Sequence, residues 1–473
     1  MEVWGRRRSA GFGSRLRRRT LIGVVAVAVL AGGCTRGADE VETGGQAPVA
    51  TDGAAGADET QAPDKSATAA GTFGDLKEVC GPGDASGATA LGVTDNAIQV
   101  GTIADPGFVG RPGLNQEIFD AAEVFTSWCN DAGGINGRKI VDVERDAKLT
   151  EYKQRVTESC QEDFMLVGSG GVFDETGQEE RLRCMLPEIP GFQVSPEARA
   201  SDLSVSPIPA AIDELQVGLF RYLEDEFPGS TDRVGFLTGN IGSLVFVDAQ
   251  AQYNSTGEAS WTPFAEALSS DKVEGVVYTG EPENLAKLLQ AMADIGYEPK
   301  WVLAGTNVID EGFIKVGGAA VKDVYAVASI VPPFLAADNP ATQQYLDLFA
   351  EYLPDGKDQA LLGYQAFSGW LLFATAVKQC GSDVTRSCVY DAANDITEWT
   401  GGGLNAATNP AKDQGADCMM VVEATPKGFV IPDDFKPTDG LFSCSKDNII
   451  KLTGDYGSGT TLESVGKSID DLE

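Results

Sequence analysis

The chain has 473 residues, with 36 basic and 70 acidic side chains, a formal net charge of −34 and no histidine. So negative a chain repels phosphates, which argues against a nucleic-acid partner. Without histidine there is no Ser-His-Asp or Cys-His pair and no histidine-ligated zinc, so an enzyme here would have only carboxylates, lysine or tyrosine to work with.

The chain opens on Arg6, Arg7, Arg8, Arg15, Arg17, Arg18 and Arg19. An apolar run from Leu21 to Ala31 follows, then Gly32, Gly33 and Cys34. A basic start, a short apolar stretch and small residues before a cut make an export signal. The run is too short for a membrane-spanning helix, which takes about 20 residues. Leu30-Ala31-Gly32-Gly33-Cys34 resembles the bacterial lipobox, with Ala31 where leucine is usual. That resemblance implies removal of residues 1–33 and a lipid on Cys34, which holds the chain at the outer face of the cell membrane. Arg18-Arg19-Thr20-Leu21-Ile22 also resembles a twin-arginine signal, which leaves the export route open. Residues 34–75 are rich in Ala, Gly, Thr, Asp, Glu and Pro, with almost no large apolar residue before Phe73. They read as a disordered tether, because so little apolar surface cannot offset the entropy of ordering.

Strand and helix patterns then alternate. Ala97 to Ile103 reads as a strand. Asn115 is placed to cap a helix whose buried face is Ile118, Ala122, Phe125 and Trp128, ended by Ala132-Gly133-Gly134. A strand at Ile140 to Val143 follows, then a helix marked by Tyr152, Val156, Cys160 and Phe164, then a strand at Met165 to Gly168. The alternation restarts with a helix over 211–227 and strands at 234–237 and 273–278. Pro282 opens a helix with a stripe of Leu285, Leu288, Leu289, Met292 and Ile295. A strand at 301–304 comes next, the region 339–399 is mostly helical, and 417–443 holds short strands. Repeated strand–helix alternation predicts parallel sheets covered by helices, and the length predicts two such α/β units.

Eight cysteines remain besides Cys34, an even number that in an exported protein argues for disulfides. Cys380 and Cys388 flank a short polar loop, and Cys418 and Cys444 bracket a terminal hairpin, so spacing pairs each couple. For the other four the favoured pairing is Cys80 with Cys129 and Cys160 with Cys184, with other pairings open. A metal site is the rival use of cysteine, but there is no C-x-x-C.

Asn130-Asp131-Ala132-Gly133-Gly134-Ile135-Asn136-Gly137-Arg138-Lys139-Ile140 resembles the type I periplasmic solute-binding proteins, in the branch that includes the leucine-isoleucine-valine receptors. Further segments resemble that family in order: the first strand and its ligand loop from Asp105 to Gly113; Leu166 to Gly171; Val194 to Arg199; and Val276 to Glu283. The resemblance implies two Rossmann-like lobes joined by three crossovers, near Ser206, Ile330 and Asp413, with the ligand between them. Lobe 1 would be 91–206 with 331–413, and lobe 2 would be 207–330 with 414–450. It also implies an ABC importer's substrate-binding protein, which captures a small polar solute, such as an amino acid or related amide or acid, as a monomer beside a membrane permease, without a cofactor, a metal or catalysis. The alternative is a sensor or surface receptor of the same fold.

The ligand-contact positions this implies are Asp105, Ser169, Gly170, Gly171, Phe173, Asp174, Ser195, Glu197, Arg199, Asn240, Thr279, Glu281, Asn307 and Tyr364. Ser169-Gly170-Gly171 could cradle a carboxylate on backbone N–H groups. The alternative is a plain turn after a strand. Arg199 could hold a carboxylate or phosphate with its planar fork, or be a solvated loop residue. Asn307 stands where related amino-acid receptors have an acid for the ligand's ammonium, and Glu281, Glu283 or Asp310 are the available substitutes. Each of these could instead flank a helix. Tyr364 and Trp370 either line the cleft or fill the core.

Overall fold

The computed structural model describes residues 71–239, 251–254 and 257–473. Strand Ala97–Ala104 (β1) lies at the centre of a parallel sheet of order β2-β1-β3-β4. It pairs with Lys139–Asp146 (β2) along its whole length, and with the short strand Leu166–Val167 (β3), which pairs in turn with Glu188–Ile189 (β4). Its near-continuous apolar run fits a strand covered on both faces. Helix Gln116–Asp131 (α1) buries Ile118, Ala122, Phe125 and Trp128, as its spacing predicts. Asn115 stands at its N-cap position, yet it adopts the left-handed conformation (φ 56°) and makes no side-chain cap bond. Its amide instead donates to the Gly170 carbonyl at 3.2 Å, so it ties the helix start to the β3 loop. Helix Tyr152–Glu162 (α2) follows β2 and ends before Phe164, which is buried all the same.

The second sheet takes its strands from later in the chain. Strand Glu214–Gln216 (β5) and helix Gly218–Glu226 (α3) replace the single helix expected over 211–227. The difference has a distant cause: β5 pairs antiparallel with Ile449–Lys451 (β14), more than 200 residues away. Val234–Gly239 (β6), Ala251–Tyr253 (β7), Gly275–Thr279 (β8), Trp301–Ala304 (β9) and Val324–Ala328 (β10) form the parallel part of the sheet. Helix Pro282–Asp294 (α4) packs Leu285, Leu288, Leu289 and Met292 inward, each worth about 1.5–3 kcal/mol over exposure. Ile295 falls outside that stripe. It is 37% exposed at the C-cap, where Gly296 (φ 69°) turns the chain away.

Helices Pro340–Tyr352 (α5), Leu361–Cys380 (α6) and Arg386–Asn394 (α7) belong to the helical region expected over 339–399. α6 packs along α1, where Phe125 stacks on Trp370 with centroids 5.5 Å apart. The chain then returns to the second sheet through Cys418–Thr425 (β11), antiparallel to β10, with Gly428–Val430 (β12) and Ser443–Cys444 (β13) paired to β11. The two lobes are therefore joined by three stretches of chain, and these lie side by side. Val331 N–H donates to the Leu404 carbonyl at 2.8 Å and Ala406 N–H to Ser329 at 2.7 Å. The Thr408 hydroxyl reaches the Pro207 carbonyl at 2.7 Å.

Both ends of the described chain are held to the first lobe. Phe73 is fully buried, 5.0 Å from Phe367 between ring centroids, so the expected tether cannot run to residue 75. The Cys80–Cys129 disulfide and the bond from Gly74 N–H to Gln344 at 2.9 Å hold the same segment. Beyond β14 the tail returns to the first lobe. Thr460 exchanges backbone bonds with Asp202 and Glu197, Leu462 joins Leu182, Met185 and Leu203, and the Glu473 carbonyl accepts from Ser387 N–H. Disulfides join Cys80 to Cys129, Cys160 to Cys184, Cys380 to Cys388 and Cys418 to Cys444. Among the described residues no helix is long and apolar enough to cross a membrane.

Candidate functional site

Two buried carboxylates organise the loops at the carboxyl ends of the first sheet. Asp105 follows β1 and accepts the N–H groups of Leu149 at 2.7 Å and Val172 at 2.8 Å. Burial raises its pKa, and those two bonds oppose the rise. Asp174 accepts the N–H groups of Val194 at 2.6 Å and Ser195 at 3.0 Å. Burial pushes its pKa up to about 7 against the pull of those bonds. Both residues were expected to face a ligand. Instead each closes one loop onto another, because a buried carboxylate must find N–H partners.

The Gly168–Gly171 loop is equally occupied. The N–H of Gly168 donates to Ile189 and that of Gly170 to Ile103, each at 2.8 Å. Ser169 is buried, and its hydroxyl accepts the Ile103 N–H at 3.0 Å. Gly171 lies against the Tyr152 ring. A side chain at Gly168, which has φ 67°, would run into the Trp370 indole. The loop therefore does not form a continuous N–H cradle. Phe173 is half-buried ahead of a short 3-10 turn. Ser195 caps the one-turn helix Pro196–Arg199 by accepting the Ala198 N–H at 3.1 Å. Glu197 is exposed, and its carbonyl binds Thr460. Tyr364 is fully buried and stacked 3.8 Å from Tyr345, and Trp370 is fully buried too, so both fill the core and not the cleft.

On the second lobe, the Thr279 carbonyl accepts the Tyr253 hydroxyl at 2.8 Å. Asn307 is exposed and donates to the Gly280 carbonyl at 3.0 Å. Asp310 caps the helix that follows it. Glu281 and Glu283 are the substitutes for an ammonium-binding acid, and both pair with Arg111 from the loop after β1. This is an ion-pair bridge from the first lobe to the second. Arg111 was not among the expected residues, although it is the one basic residue in the proline- and glycine-rich loop from Asp105 to Gly113. Asn240 and Cys34 lie outside the described residues.

A cavity of about 320 Å³ lies at the seam of the crossovers. Ser206, Ile208 and Pro209 line it from the first crossover, Ser329 from the second, and Gly415 and Ala416 from the third. The first lobe adds Phe192, Gln193, Arg199 and Gln365, and the second adds Thr306, Val327 and Met419. Glu214 and Gln216 of β5 and Ile449 of β14 also line it. Of the expected ligand residues, Arg199 alone belongs to this lining among the described residues. Its Nε donates to the Gln193 carbonyl at 3.3 Å. Burial lowers its pKa, and nearby Asp174 and Asp413 raise it. Asp413 is itself pushed up to about 6, by burial first and then by Glu214, while Arg199 pulls it down.

Residues 246–428 match the model of the periplasmic binding protein family. No curated protein matches the chain. Several solved structures share its fold. A fatty acid ABC transporter substrate-binding protein from Thermomonospora curvata is 16% identical, with a TM-score of 0.63 over 78% of this chain and 97% of that one. A branched-chain amino acid ABC transporter protein from Thermus thermophilus with bound valine is 15% identical, with a TM-score of 0.60 over 75% and 98%. A leucine-binding protein from Thermotoga maritima is 12% identical, with a TM-score of 0.57 over 72% and 100%. The chain has the fold of the type I periplasmic binding proteins, and its residues 246–428 match the periplasmic binding protein family's model.

Proposed function

We propose that this chain is the extracytoplasmic, lipid-anchored substrate-binding subunit of an ABC importer. It captures a small polar solute, an amino acid or a related amide or acid, between its lobes and delivers it to a permease. The observation that carries this reading is the cavity at the crossover seam, walled by both lobes and all three crossovers. A ligand placed there touches the parts that move when lobes hinge, so binding and closure are linked. Solved proteins of this fold come from transporters of branched-chain amino acids and fatty acids, which supports a transport role. The arginines, the apolar run and Cys34 support export and a lipid anchor, and residues 34–70 would then give the lobes reach from the membrane. We assign the lobes as 91–206 with 331–413 and 207–330 with 414–450, and we assign the protein a binding role as a monomer, without a cofactor or a chemical step.

Calorimetric titration of the purified protein with amino acids, amides, urea, short-chain acids and aromatic acids tests this. At least one class is expected to bind with micromolar or tighter affinity and to make the protein more compact in solution scattering. No heat and no compaction with any of them would remove the importer reading.

A further inference from the structure

We infer that the C-terminal tail, residues 452–473, is a strap across the first hinge that limits how far the lobes part before a solute arrives. This rests on the lobe division proposed above and adds a device to it. At one end the tail is fastened to the second lobe. β14 pairs with β5, and the Leu452 N–H donates to the Asp213 carbonyl at 2.7 Å. At the other end it is fastened to the first lobe. The Thr460 N–H donates to the Glu197 carbonyl at 3.1 Å, the Asp202 N–H donates to the Thr460 carbonyl at 3.0 Å, and the Leu462 N–H donates to the Asp202 carboxylate at 2.7 Å. Leu462 is buried against Leu182, Met185 and Leu203, and the Glu473 carbonyl accepts the Ser387 N–H at 3.1 Å.

The two fastenings bracket the first crossover, which passes Ser206 on its way from Asp202 to Asp213. The tail is therefore a further link between the lobes, and it joins the same two places as that crossover. Residues 453–458 are exposed and form neither helix nor strand, so they are held by their ends. A cover over the first lobe would need only the Leu462 end. Gly459 fits the link to that lobe, because it lies so close to the Ala200 carbonyl that a side chain there would collide with it. Two cavity walls are tied by this route. Ile449 of β14 lies just before the link, and Arg199 lies between the tail's partners Glu197 and Asp202. Eight residues lead from Leu452 to Thr460, and they can stretch to at most about 28 Å, so the slack is bounded. A binding protein that rests partly closed keeps a larger share of its molecules ready for solute, and its apparent affinity rises by the same factor.

The test compares three proteins with no solute added: the unaltered chain, a variant with Gly and Ser residues inserted between Gly454 and Asp455, and a chain that ends at Leu452. An insert of about twelve residues leaves both fastenings in place and adds roughly 19 Å of flexible chain. Inserts in exposed loops cost little stability, so this variant should keep the denaturation midpoint of the unaltered chain. Nitroxide labels are carried on unnatural residues at Lys153 and Lys287, both exposed, the first on α2 of the first lobe and the second on α4 of the second. Pulsed dipolar spectroscopy then reads the distance between the lobes. The insertion variant is expected to show a mean distance longer by several ångströms and a broader spread. The truncated chain should show the same shift and, with Leu182, Met185 and Leu203 uncovered, a lower midpoint. An insertion variant with the distances of the unaltered chain overturns the inference, even where truncation lengthens them, because the tail is then only a cover for the first lobe. A longer distance that comes with a lower midpoint in the insertion variant overturns it too, since the insert has then loosened the fold. Should one variant fail to fold, unchanged distances in the other still overturn the inference. Because no solute is present, failure of the strap leaves solute binding standing, and silence across the solute panel leaves the strap standing.

Discussion

The two walls of the cleft are built to different standards. On the first lobe, loops are fastened by buried carboxylates: Asp105 takes one backbone N–H group from each of two other loops, and Asp174 takes two from one other loop. Two of the four disulfides also lie within that lobe, and a third ties Cys80, ahead of it, to Cys129 in its first helix. On the second lobe the corresponding fastenings are lighter. Asn307 reaches Gly280 from an exposed position, and Arg111 meets Glu281 and Glu283 with side chains about one-third to one-half exposed. Buried ties hold a loop in one arrangement, whereas exposed polar contacts exchange readily with water. The first lobe is therefore a prearranged wall, and the second supplies contacts that can be made and released.

The heaviest blow to that contrast is the removal of a first-lobe bridge. Cys80–Cys129 closes a loop of 49 residues and pins the segment that carries Phe73. Replacing both with serine should lower stability by about 4 kcal/mol on the loop-entropy account, read as a denaturant midpoint under non-reducing conditions. A loss under about 1 kcal/mol would mean that the packing of Phe73 already holds the segment.

Next in size is Asp174→Ala, which leaves two buried N–H groups without their acceptor. About 2–4 kcal/mol of stability should go. Asn307→Ala, the matching change on the other wall, should cost within about 0.5 kcal/mol. Equal costs would erase the distinction between the walls. Asp174 adds a pH signature. Its carboxyl is held near 7 in the folded chain, above the ordinary aspartate value, so the folded state binds a proton that the unfolded chain releases. Its contribution to stability is then fullest below about pH 4 and is lost as the pH rises toward 7. Subtracting the melting temperature of Asp174→Asn from that of the unaltered protein should give a difference that falls over that range. A difference that rises with pH would show that the carboxylate's hydrogen bonds outweigh its burial.

What could be read from the sequence follows the range of each interaction. β1, α1, β2 and α4 show their faces in local periodicity, because one short segment carries the whole pattern. β5 does not, since its partner β14 lies in the distant tail and residues 211–217 read as helical by themselves. The cavity was hidden for the same reason. Its walls come from three crossovers and a terminal ribbon, which meet only in the folded chain. Helix α6 shows a finer limit. It is buried nearly all round, so periodicity cannot tell that Tyr364 packs on Tyr345 while its neighbour Gln365 faces the cavity. The loop that resembles a family ligand loop, Val194 to Arg199, did contribute a cavity residue in Arg199, but its Ser195 serves as a helix cap.

The smallest expected change in stability belongs to the contact that joins the two walls. Arg111 comes from the prearranged lobe, and Glu281 and Glu283 come from the start of α4 on the other. Exposed ion pairs contribute about 0–1 kcal/mol, so Arg111→Ala should barely move the denaturation midpoint. Its effect should appear in rates. A bridge across the cleft mouth exists only while the lobes are together, so it slows opening without strengthening either lobe. Release of a bound solute, followed by stopped-flow, should be several-fold faster in Arg111→Ala. Added salt should speed release from the unaltered protein and leave the variant unchanged, because screening removes the same attraction that the substitution removes. Equal release rates at low salt would mean that the bridge follows closure and does not hold it.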